Sequence, residues 1–101
     1  MARIKTTRNH RRMQSAILRL TSKLPGRWSA MALTEALCAD TRSTYGGRNP
    51  YGLVSTTNCA LLRLVEMGYM ERKMETTDLG RVRYTYAITS KGRVAEKEFA
   101  K

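Results

Sequence analysis

Histidine occurs once in this chain of 101 residues, at position 10, and cysteine twice, at positions 38 and 59. A zinc site needs three or four nitrogen or sulfur ligands at workable spacing, and two distant cysteines with no C-x-x-C pair do not supply them. The same scarcity removes Ser-His-Asp and Cys-His arrangements, in which a base must be held beside its nucleophile. Glycine-rich phosphate loops are missing too, because Gly46-Gly47 lacks the G-x-x-x-x-G-K context and reads as a turn. Apolar runs are short, and none reaches the length of a signal-peptide core or a membrane span. These absences predict a protein that is not an enzyme, takes no metal or cofactor and enters no membrane. Cys38 and Cys59 then read as small apolar residues of a reduced, cytoplasmic protein.

Acids are also scarce, 8 against 19 Lys and Arg, so the formal net charge is +11. An imbalance of that size speaks of a polyanionic partner. Arg outnumbers Lys by 13 to 6, and Arg is the better fork for phosphate and for guanine edges. Residues 1–27 contain eight of these cations and no acid. Residues 1–10 read as a basic arm and residues 11–101 as one domain, for which an apolar content of 42% is ordinary. The arm, with Arg3, Lys5, Arg8, Arg11 and Arg12, has two readings: a solubilising tail, or a grip on phosphates. Its expected place is the cytoplasm, in association with the nucleoid.

Periodicity divides the rest. Met13, Ile17, Leu20 and Leu24 recur at helical spacing and predict a helix over residues 11–23, ended by Pro25-Gly26. Ser29 can cap a second helix whose apolar side is Met31, Leu33, Ala36 and Leu37. Gly46, Gly47, Pro50 and Gly52 then predict a long loop over residues 39–53, carrying Arg42 and Arg48. A third helix is expected over residues 54–67, with Ser55, Thr56 and Thr57 at its start and Gly68 as its stop. After Gly68 the period changes to two. Residues 69–75 and 81–89 form a hairpin around Thr77-Asp78-Leu79-Gly80, and Thr89 or Ser90 caps a last helix in which Val94, Ala95 and Phe99 fold back on the core. The class is mainly α with a β-hairpin, α+β, in the order helix, helix, helix, hairpin, helix.

LLRLVEMGYMERK at residues 61–73, D-L-G-R at 78–81 and T-S-K-G-R at 89–93 follow one another in that order. The ordered set resembles the recognition helix, wing and closing motif of MarR-like and PadR-like bacterial regulators, over residues 28–93. The resemblance implies a winged helix-turn-helix whose third helix places its first two turns in the major groove. The long loop before that helix and the short stretch after Ser90 depart from those families, so a homodimer is possible without being implied.

On that frame Val82, Tyr84, Tyr86 and Ile88 would cover the helices, while Arg81 and Arg83 would project toward phosphate or the minor groove. Arginines on an exposed strand also prevent edge-to-edge pairing, so the wing has a structural reading as well. Ser55, Thr56, Asn58 and Arg63 lie off the leucine stripe of the third helix and include side chains able to bond phosphates or base edges. Ser55 reads as a cap, and Asn58 as the candidate for a base contact. The expected partner is double-stranded DNA, in transcriptional regulation in a bacterium or phage. The alternatives are an RNA- or ribosome-associated winged-helix protein and an interaction module for an acidic protein surface.

Overall fold

The computed structural model describes residues 8–40 and 44–99. Its elements run α1 (Arg8–Lys23), α2 (Ala30–Ala39), α3 (Pro50–Glu66), β1 (Met70–Thr76), β2 (Val82–Ile88) and α4 (Ser90–Phe99), which is the expected class and order. Two boundaries are corrected. α1 begins at Arg8, so residues 8–10 of the expected arm are helical. α3 begins at Pro50, so residues 50–53 leave the expected loop. Asn49 explains the second shift: its side chain accepts the Tyr51 N–H at 3.0 Å, and Pro50 follows at the first helical position, where a missing N–H costs nothing. Ser55 is therefore not the cap expected of it but an exposed residue of the second turn.

The other helix ends follow their local chemistry. The Ser29 hydroxyl accepts the Ala32 N–H at 3.1 Å and starts α2. α3 stops in a Schellman turn, in which the Tyr69 and Gly68 N–H groups donate to the Leu64 and Val65 carbonyls with Gly68 at φ +79°.

Three helices share one core. Met13, Ile17 and Leu18 of α1, Leu33 and Leu37 of α2, and Leu61 and Leu64 of α3 are buried together. Between α2 and α3 the hydroxyls of Thr34 and Thr57 bond at 2.9 Å, a satisfied polar pair inside the apolar layer. Leu24 and Val94, both expected in the core, are exposed. Leu24 lies one residue past the end of α1, and α4 turns Ala95 inward in place of Val94.

β1 and β2 pair antiparallel with Met70 opposite Ile88, Arg72 opposite Tyr86 and Met74 opposite Tyr84. Trp28 forms a bridge on the outer edge of β2, exchanging both backbone bonds with Tyr86 at 2.9 and 2.7 Å. The base of the hairpin is thus bound to the body, with Met70 and Tyr86 buried. Its distal half is not: Val82 and Tyr84, expected to cover the helices, are 59% and 46% exposed, and neither belongs to the core cluster that holds Tyr86. Thr85, in phase with Arg81 and Arg83 on the opposite face of the strand, is buried. Arg27 covers it, with Nε donating to the Thr85 hydroxyl at 3.1 Å and lying 3.6 Å from Glu75.

The chain closes at Thr89. Its hydroxyl donates to the Gly68 carbonyl at 2.7 Å and accepts the Gly92 N–H at 3.0 Å, tying the start of α4 to the end of α3. Gly92 is required there, since a Cβ would fall on the Tyr69 carbonyl.

Candidate nucleic-acid interface

α3 is buried on one side and open on the other. Leu53, Thr57, Ala60, Leu61 and Leu64 face the core. Tyr51, Ser55, Asn58, Cys59, Leu62 and Glu66 succeed one another at helical spacing on the opposite side, and all are exposed. The structure brings Ser55 and Asn58 onto this open stripe and leaves Thr56 and Arg63 half-buried at its border. Arg63 pairs along the helix with Glu66 at 3.7 Å.

The open side starts earlier than the sequence predicts. Tyr51 is 78% exposed at the second helical residue, and Gly52 stands beside it. Asn49-Pro50 is the signal that would have found them, because an Asx cap before proline marks a helix start as readily as a turn. Cys59, read as a small apolar residue of a reduced protein, is an exposed free thiol in the middle of the stripe, while Cys38 is buried.

Cations gather at the amino-terminal end of α3. Arg48, one residue before the cap, lies over the Tyr45 ring at 5.9 Å, and both Arg48 and Arg12 are exposed. Burial raises the pKa of the Tyr45 hydroxyl above its ordinary value, while Arg12 and then Arg48 pull it down, so both guanidinium groups act at this corner. The positive end of the helix dipole adds to them. Arg3, Lys5 and Arg42 lie outside the described residues, as do the side chains of Arg8 and Arg11.

The wing carries Arg81 and Arg83 in the open, Arg81 just past the turn and Arg83 opposite Glu75. A third wing arginine was missed. Arg72 is in phase with Met70 and Met74, hence on the apolar face, and its guanidinium lies over the Tyr84 ring at 4.5 Å. Beyond it Met74, Val82 and Leu79 are exposed, Leu79 to 85% at the tip. On the other face Arg27 reaches Glu71 at 3.4 Å as well as Glu75, bracing the base of the wing against the segment before α2. Arg27 was counted only as charge in the sequence, since its partners lie 44 to 58 residues away.

Among the described residues no group of three His, Cys, Asp or Glu could hold a metal ion, and no helix is long and apolar enough to cross a membrane.

No family model and no curated protein matches the chain. Among solved structures it is similar to Bacillus subtilis PadR in complex with operator DNA, at 17% identity and a TM-score of 0.69 over 86% of this chain. It spans 45% of the PadR chain, under half its length. A PadR-like transcriptional regulator from Bacillus cereus is similar at 22% identity and a TM-score of 0.61, covering 86% of this chain and 76% of that one. The likeness establishes the fold as the winged helix of these proteins.

Proposed function

We propose that this protein binds double-stranded DNA through α3 and the hairpin and regulates transcription, acting by binding and not by catalysis, in the cytoplasm of a bacterium or on behalf of a phage. The observation that carries the reading is the open stripe of α3. A helix whose whole outer side is left uncovered, with cations at its amino-terminal end and an arginine-bearing ribbon next to it, suits a major groove flanked by phosphates. The likeness to a PadR chain held on operator DNA supports the same reading.

Roles follow from position. Ser55 and Asn58 would meet base edges, with Thr56 and Arg63 at the margin of the helix. Arg12, Arg48, Arg81 and Arg83 would meet the backbone, where contacts fix register without reading sequence. Arg3, Lys5, Arg8, Arg11 and Arg42 would extend that grip.

A second reading has its own support. The exposed apolar strip of Met74, Leu79, Val82 and Tyr84, rimmed by arginine, suits an acidic, partly apolar protein surface. Competition among duplex DNA, structured RNA and an acidic polymer at matched salt separates the readings. Preference for duplex, with a motif recovered from a random duplex pool, supports regulation, and a palindromic motif would add a homodimer. Equal competition by all three overturns it.

A further inference from the structure

The composition of the open stripe carries an inference about which bases it selects, and it rests on the duplex-binding reading above. Guanine is read in the major groove chiefly by Arg or Lys bonding O6 and N7, adenine by Asn or Gln bonding N6 and N7, and thymine by apolar contact with its methyl group. The exposed side of α3 consists of Tyr51, Gly52, Ser55, Asn58, Cys59, Leu62 and Glu66, with no Lys or Arg among them. Arg63 stands at the border with its guanidinium 3.7 Å from Glu66, and Glu66 is the last residue of the helix, farthest from the cations at its start. In a chain with 13 arginines, the helix best placed to read bases has none on its open side.

We propose that the open side of α3 selects A·T base pairs from the major groove, Asn58 bonding adenine while Cys59 and Leu62 cover thymine methyl groups. An exposed Leu62 and an exposed thiol beside a single amide otherwise have no role in the fold.

Gly52 bears on how closely a groove could approach this side of the helix. A glycine inside a helix costs about 1 kcal/mol against alanine, and here no packing demands it, since a Cβ at this position would meet nothing within 4 Å. A bare backbone on the exposed side of the helix lets the groove wall come close.

The test uses the motif-bearing duplex recovered from a random pool, its counterpart with every thymidine replaced by deoxyuridine, and a counterpart with the motif's A·T pairs exchanged for G·C. The motif should be dominated by A·T pairs. Deoxyuridine should weaken the wild-type complex about fourfold for each methyl covered, the equivalent of burying one methyl group. Leu62→Ser, a change at an exposed position, should narrow that thymidine–deoxyuridine gap, and Asn58→Ala should leave the gap while losing discrimination between adenine and guanine. A G·C-dominated motif, unaltered affinity for the deoxyuridine duplex, a full gap in Leu62→Ser, or duplex binding without any motif overturns this inference and leaves duplex binding standing. Failure to bind any duplex overturns the binding reading and this inference together.

Discussion

The two halves of the hairpin have one sequence pattern and two fates. Met70, Tyr86 and Ile88 near the base and Met74, Tyr84 and Val82 toward the tip all lie on the same face of the ribbon. Tyr86 is 4% exposed and Tyr84, two residues earlier in the same strand, is 46% exposed. Alternation in a sequence tells which side chains share a face, and it is silent on whether anything lies against that face. Tyr86 belongs to the core cluster that the helices form. Beyond it the same apolar phase becomes a solvent surface, where Arg72 lies across Tyr84.

The largest effect expected from this contrast is in stability. Tyr86→Ala should destabilise the fold by about 3 to 5 kcal/mol, the cost of emptying a buried aromatic site. Tyr84→Ala should cost about 1 kcal/mol or less, mostly the lost contact with Arg72. Denaturant unfolding of the two variants makes the comparison, and equal losses would mean that the wing tip packs as tightly as its base. Gly92→Ala sharpens it from the other side. Its added methyl would meet the Tyr69 carbonyl, a backbone atom that cannot swing away, so a loss of about 1 to 3 kcal/mol is expected in the same measurement.

The sequence was most legible where the signal was local. Ser29 as a cap, Gly68 as a stop, the Thr77-to-Gly80 turn and the cap at Thr89 depend on neighbours within a few residues, and each stands where its chemistry predicts. Asn49-Pro50 is equally local but ambiguous, which is why Tyr51 and Gly52 were assigned to the loop and the open stripe was read as starting four residues late. What depends on distant chain was not legible. Thr85 is buried by Arg27, and β2 is held at Tyr86 by Trp28, pairings that no periodicity announces. Asn58 and Ser55 are readable as residues off the leucine stripe, whereas the exposure of Cys59 and Leu62 beside Asn58 depends on what distant parts of the chain leave uncovered.

Smaller effects are expected on the wing's arginines. Arg81→Ser with Arg83→Ser should change stability by under about 0.5 kcal/mol, because both are exposed and their side chains are outside the packed base. Duplex affinity should fall. The slope of log affinity against log salt should become shallower by about 1 for each phosphate contact removed, about 2 for the pair. An unchanged slope would assign these arginines to protecting the strand edge.

The last effect has an unusual sign. Gly92 and Gly52 are both helical glycines, but the first has backbone where a Cβ would go and the second has open space. Gly52→Ala should therefore raise stability by about 0.5 to 1 kcal/mol, since alanine restricts the unfolded chain and favours the helix without meeting any atom. If α3 lies in a major groove, the same methyl stands between backbone and bases, so duplex binding should weaken while melting temperature rises. That opposition separates a glycine kept for approach from one tolerated at a helix start. Thermal melting and duplex titration on this one variant decide it: a stabilised protein that binds as tightly as before would show that the groove does not come close at Gly52, and that the amino-terminal turn of α3 stands clear of the DNA.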